Sequence, residues 1–224
     1  MKLTIFAATG GIGRHVLDQA LAAGHDVTAV VRNPSTLAAY AGQVRVVTAD
    51  LAHSDPATLE SAVAGADAVV SGLGPRSNAE TGIASRGTRA IIQAMQATDV
   101  KRIVVVSAAP IATVPSPGRP NPPRHDPGDG FFMRYLLNRF AKTAFRKHYA
   151  DLALMEDLLR DSGLDWTVVR PPRLTDKPLT GTYRTAIGRN LRRGVLVSRA
   201  DVADLMLRVL DQPDTIKQTV GIAN

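Results

Sequence analysis

The sequence predicts an α/β fold, a doubly wound parallel sheet in a single domain spanning residues 1–224, and three observations predict it. Short apolar runs rich in β-branched residues alternate with helix-periodic segments through the first half of the chain, the pattern of parallel strands joined by right-handed helical crossovers. The first run passes directly into a Gly-rich turn, Ala7-Ala8-Thr9-Gly10-Gly11-Ile12-Gly13, that opens a helix. The length of 224 residues is below the limit of about 250–300 at which single hydrophobic cores stop growing.

Each element follows in order. Lys2 to Phe6 supplies β-branched and aromatic residues suited to a buried parallel strand, and His15 to Leu21 continues at helical spacing. Val27 to Val31, Val44 to Thr48, Asp67 to Ser71 and Arg102 to Ser107 read as the second to fifth strands, and Thr81 to Ala97 as the clearest helix between them. The beat breaks after Ser107. Residues 110 to 127 hold 7 of the 14 prolines, which rules out a central strand or a long helix there. A helix-compatible stretch runs from Phe131 towards Ser162, with Gly163 in a C-terminal stop position. Trp166 to Arg170 reads as a sixth strand ending at Pro171-Pro172. A loop with Gly181 and Gly188 then leads to Gly194–Ser198, and Ala200 to Leu210 forms a last amphipathic helix. Segment 110–149 reads as an insertion and helix over the substrate site, or as a surface loop.

Composition narrows the class. The chain is 45% apolar and 21% charged, with no cysteine for a disulfide, a thiol nucleophile or a thiolate metal site, and no metal is expected. No apolar run reaches the roughly 20 residues that span a bilayer, and the first strand starts almost at Met1; a cytoplasmic protein with no presequence and no membrane partner is expected. The net charge of +7 is concentrated: Arg119, Arg124, Arg134, Arg139, Lys142, Arg146 and Lys147 stand against Asp126 and Asp129, a balance of 7 minus 2, or +5, and a smaller cluster holds Arg184, Arg189, Arg192 and Arg193. No zinc-finger spacing or aromatic-interleaved basic motif accompanies these clusters, so solvated surface or attraction of small anions is expected and nucleic acid is not.

In doubly wound sheets ligands bind beyond the carboxyl ends of the strands. Glycines in the first turn let the backbone approach phosphate closely, and free amides at the helix start attract negative charge. A dinucleotide is the ligand this arrangement suits, in a Rossmann-like domain. The other turns carry the strings VVRNPSTL, TADL, GLGPR and VVVSA, and SGLDWTVVRPPRLTDKPLTGTY follows the insertion. With these strings the chain resembles the atypical short-chain dehydrogenase/reductase family with an NAD(P)H-binding, NmrA-like domain, and is most similar to its flavin reductase branch. The resemblance covers about residues 1–109 and 150–212.

Carried over residue by residue, the resemblance implies that Thr9, Gly10, Gly11, Ile12 and Gly13 form the pyrophosphate loop, with Ala7 where the family has glycine. It implies that Arg32 faces the ribose; there a guanidinium can clamp a 2'-phosphate, favouring NADPH (NADP+) over NADH, the alternative being a solvated charge. Asp50 and Leu51 match the positions beside the adenine, Asp50 having helix capping as its alternative. Gly72, Leu73 and Gly74 match the loop running towards the nicotinamide, followed by Arg76, and Pro171, Pro172, Arg173 and Leu174 match the loop closing its other side. Arg173 stands where the flavin reductase branch has histidine. Ser107 matches a serine beside the nicotinamide, able to hold the carboxamide or the acceptor's oxygen, or to cap the next turn.

The Tyr-x-x-x-Lys pair of ordinary short-chain dehydrogenases is missing: Tyr149 is followed four residues on by Ala153, and Tyr135 by Arg139. Tyr149 is then a candidate proton donor or a packed helix residue. Flavins, quinones and linear tetrapyrroles relax the need for a donor, because the anion formed by hydride addition is delocalised. The expected activity is NADPH-dependent reduction of such a conjugated small molecule. An NADP(H)-sensing regulatory protein without turnover is the alternative, and an isomerase or epimerase of the same fold a third.

Overall fold

In a computed structural model the apolar runs form one twisted sheet; the structure describes residues 1–53, 55–74, 80, 82–128 and 146–224. Strands β1 (Lys2–Phe6), β2 (Asp26–Val31), β3 (Val44–Thr48), β4 (Ala68–Ser71), β5 (Arg102–Val106) and β6 (Asp165–Arg170) are parallel. With β8 (Arg184–Ile187) and β10 (Gln218–Ala223) they give an eight-stranded sheet in the order β3-β2-β1-β4-β5-β6-β10-β8. A separate parallel pair joins β7 (Arg173–Thr175) to β9 (Leu196–Ser198). The chain winds outward from β1 to β3 and then returns to the other side of β1 with β4. That reversal opens a crevice beyond the carboxyl ends of the strands.

Helices cover both faces because successive strand residues point to opposite sides. On β5, Val104 and Val106 join one core with Leu17 of α1 (Gly11–Ala22) and Met206 of α5 (Arg199–Arg208). Ile103 and Val105 join the other, with Leu59 of α2 (Pro56–Val63), Met95 of α3 (Ile83–Ala97) and Leu159 of α4 (Arg146–Asp161). A strand buried on both faces needs an apolar residue at nearly every position, which is what β1 and β4 to β6 carry.

Two elements depart from expectation. The loop with Gly181 and Gly188 contains β8, an antiparallel edge strand whose residues are largely exposed and polar, so it lacks the apolar run that marks a buried strand. The strand β10 also escapes the pattern, since it contains Gly221. A side chain at Gly221 would stand 2.4 Å from the carbonyl oxygen of Arg189, so the glycine admits that neighbouring backbone. In the proline-rich stretch only a short 3-10 helix, Ala109–Thr113, forms. Its later part is tied down by Asp126, which accepts from the amides of Gly128 at 2.8 Å and Asn190 at 2.9 Å. Arg76, the expected helix start at Thr81, Tyr135 and residues 129–145 of the insertion lie outside the described residues.

Candidate cofactor and substrate site

The carboxyl ends of β1 to β5 border one cavity of about 400 Å³. Its floor is the first turn. Ala7 adopts φ 57°, and Gly10 N–H donates to its carbonyl at 2.8 Å. A left-handed alanine costs about 1–2 kcal/mol, so Ala7→Gly is expected to stabilise the fold by up to about 1 kcal/mol after glycine's extra freedom in the unfolded chain is subtracted. Urea unfolding checks this, and a net loss contradicts it.

A Cβ on Gly13 would stand 2.1 Å from the Ala7 carbonyl oxygen, and one on Gly72 would stand 3.0 Å from Gly13 N, so turn, helix start and β4 end meet backbone to backbone. This packing sets the α1 N-terminus against the cavity. Thr9, Gly10, Gly11 and Ile12 line it, and no side chain caps the helix. Free amides and the helix dipole there suit an anionic pyrophosphate. Arg199, at the start of α5, reaches the same place: its Nε would be 2.9 Å from a Cβ on Gly11, and its guanidinium pairs with Asp176.

The next wall comes from the ends of β2 to β4. Arg32 is half exposed, lines the cavity and pairs with Glu80 at 2.9 Å, Glu80 itself being a lining residue. Asp50 lines the cavity beside Leu51, but its Oδ1 accepts from Ala52 N–H at 3.1 Å. That amide, helped by the His53 ring, holds the Asp50 carboxyl below the usual carboxylate range. Turn capping is therefore a role Asp50 fills, with Leu51 as the apolar surface beside it. Gly72, Leu73 and Gly74 complete this wall.

At the end of β5 stand Ser107, Leu174 and, from α4, His148 and Leu152. Ser107 Oγ donates to Glu156 Oε1 at 2.8 Å; Glu156 is 1% exposed. Arg170, 5% exposed, meets the same carboxylate through Nε at 3.0 Å and through a second, shorter contact, and Arg160 meets it at 3.0 Å. With its proton committed to a carboxylate, the Ser107 hydroxyl offers only lone pairs to the cavity. It suits the N–H of a carboxamide rather than an acceptor's oxygen.

Five expected site residues stand outside this lining. Pro171, directly after β6, accepts from Ala109 N–H at 2.9 Å through its carbonyl. Gly13 lies behind the turn, where its role is the close packing already described. Pro172 borders a separate small depression with Arg170 and Asn190. Arg173 is exposed at the start of β7. Tyr149 is half-buried against the α3–α4 core, and burial pushes its phenol up. Sequence reasoning missed His148, Glu80, Glu156 and Arg199. His148, Leu152 and Glu156 recur at four-residue spacing on the apolar stripe of α4, a signal present in the sequence. No local pattern marks Arg199, which α5 packing brings from the far end of the chain.

A Gly-rich turn, an uncapped helix start and flanking guanidinium groups at the switch point of a doubly wound sheet define a dinucleotide-binding α/β protein. The chain belongs to the NAD(P)H-binding family, matched over residues 7–213. It is 30% identical over 223 residues to the uncharacterized sugar epimerase YhfK of Bacillus subtilis, covering 96% of this chain and 90% of that one. ChuY, an anaerobillin reductase from Escherichia coli O157:H7, superposes with a TM-score of 0.76 at 25% identity, covering 100% of this chain and 97% of that one. A wide-type short-chain dehydrogenase/reductase from Veillonella parvula, solved in complex with NADP, superposes at 0.75 with 19% identity over 100% and 94% of the chains and shares the fold. Among the described residues no helix is long and apolar enough to cross a membrane.

Proposed function

We propose that this protein is an NADPH-dependent reductase of conjugated acceptors, of the flavin, quinone or related polycyclic class. The observation that carries this reading is the wall presented by α4. Its cavity-facing residues are His148 and, one turn on, the apolar Leu152, and no tyrosine or lysine lines the cavity among the described residues. An alcohol-ketone exchange needs a tuned proton donor there; a delocalised anion can wait for solvent. When bound, NADPH supplies the hydride. The first turn and Arg199 hold its pyrophosphate, Leu51 packs on the adenine, and Ser107 orients the carboxamide. Consumption of NADPH with a panel of flavins and quinones tests the reading, and protein that binds NADPH but consumes none contradicts it. Sugar epimerisation, suggested by the name of the Bacillus subtilis relative, returns the cofactor to its starting state and gives no net consumption.

Arg32 supplies the preference for NADPH over NADH, because a guanidinium meets a 2'-phosphate with paired charge-assisted hydrogen bonds. Arg32→Ala is expected to weaken NADPH about 10- to 100-fold while NADH changes little, since hydrogen bonds to charged groups contribute about 1.5–3 kcal/mol. Glu80 competes for the same guanidinium at 2.9 Å, so Glu80→Gln is expected to tighten NADPH. Calorimetric titration of both cofactors decides, and equal losses for Arg32→Ala contradict the assignment.

A further inference from the structure

His148 lies two turns before Glu156 on the same stripe of α4 and lines the cavity that Ser107 borders. Its Nδ1 is sealed from solvent and has no hydrogen-bond partner among the described residues. A ring with one nitrogen sealed has one usable polar edge. Among the described residues the bare Nδ1 finds no acceptor for a proton, so the favoured neutral tautomer carries its proton on Nε2, the ring nitrogen that is not sealed. Burial pushes the imidazole down from its ordinary pKa, opposed by the Asp151 carboxylate, which is itself held by the amides of Ala84 at 3.0 Å and Ser85 at 3.1 Å. The ring is therefore neutral when it meets a ligand at neutral pH.

We infer that His148 is a catalytic residue that donates its Nε2–H to the acceptor oxygen on which negative charge develops. This rests on the reductase reading. Ser107 cannot serve there, because its proton belongs to Glu156, and Tyr149 turns into the helix layer. The site then takes conjugated acceptors that carry a carbonyl-type oxygen, such as quinones. Such an acceptor gains two electrons and one proton as hydride while NADPH becomes NADP+; it leaves as a hydroquinone anion that solvent protonates. His148 keeps its proton throughout and acts as a neutral electrophile.

The test uses the full chain with menadione as acceptor. His148→Phe, which keeps a ring but no donor, is expected to lower kcat/KM for menadione about 100-fold, the loss typical of one oxyanion donor. NADPH affinity is expected to be unchanged, and His148→Gln, which can still donate, is expected to recover most of the rate. Independently of turnover, nitrogen NMR shifts are expected to report the Nε2–H tautomer, with that proton moving downfield when a hydroxynaphthoquinone anion binds the NADP+ complex. Unaltered menadione turnover in His148→Phe, loss of NADPH affinity in step with turnover, or an Nδ1–H tautomer each overturns the inference alone. Wild-type protein that binds NADPH yet reduces no quinone overturns the reductase reading and this inference together.

Discussion

Replacing Glu156 with alanine is expected to destabilise the protein by about 3–5 kcal/mol in urea unfolding, because it strands a buried cation. The carboxylate is 1% exposed and receives Arg170, itself 5% exposed, together with Ser107 and Arg160. Deleting it leaves the Arg170 guanidinium, 5% exposed, without its ion-pair partner, and a lone buried charge is far more costly than a buried pair. The cost comes from the stranded charge rather than from the net strength of the pair. The double variant Glu156→Met, Arg170→Met is therefore expected to recover most of the loss, since replacing a whole buried pair by apolar residues of similar volume is often neutral. A Glu156→Ala protein that unfolds at the wild-type urea midpoint contradicts this account of the network. So does a double variant no more stable than the single one.

Gly13→Ala is expected to cost about 1–3 kcal/mol of stability, the range for overpacking a close contact, and to weaken NADPH binding at the same time. Helix propensity alone predicts the opposite sign, since alanine is about 1 kcal/mol better than glycine within a helix. Sterics wins here: the added methyl would stand 2.1 Å from the Ala7 carbonyl oxygen and 2.8 Å from its carbon, both backbone atoms of the Gly-rich turn. Relief requires α1 to move away from the turn, and the free amides at the cavity move with it. Gly11→Ala is the control, because a Cβ there meets only the flexible Arg199 side chain. It is expected to leave the fold intact. Circular dichroism melts of the two variants check the contrast in stability, and equal melting temperatures contradict it; NADPH fluorescence titration of Gly13→Ala checks the expected loss of binding.

Strands buried on both faces were legible in the sequence because burial demands continuous apolar runs. Lys2–Phe6 and the Trp166–Arg170 run are found where they were expected; Val44–Thr48 is too, although it is an edge strand with half-buried and exposed residues, because its run of valines still marks it. The antiparallel edge was not legible: Arg184–Ile187 is held by pairing with β10 rather than by burying an apolar face. The part of the cavity lined by the strand-end turns was legible for the same local reason as the strands, since each turn follows directly from a strand end. The far wall was not, because it is assembled across the chain: Glu156 reaches Ser107 over 49 residues, and Arg199 meets Gly11 only through the packing of α5 on α1. Ala7 was visible as a departure from glycine, but its left-handed conformation shows only in the folded turn.

Hydride transfer from NADPH held along the strand ends is the central claim. NADPH deuterated at C4 on one face or on the other is consumed with menadione, and the recovered NADP+ is analysed by mass spectrometry. A cofactor held in one orientation between Ser107 and the α4 wall predicts complete loss of the label from one sample and complete retention in the other. Equal loss from both samples, or no consumption above the protein-free rate, contradicts it.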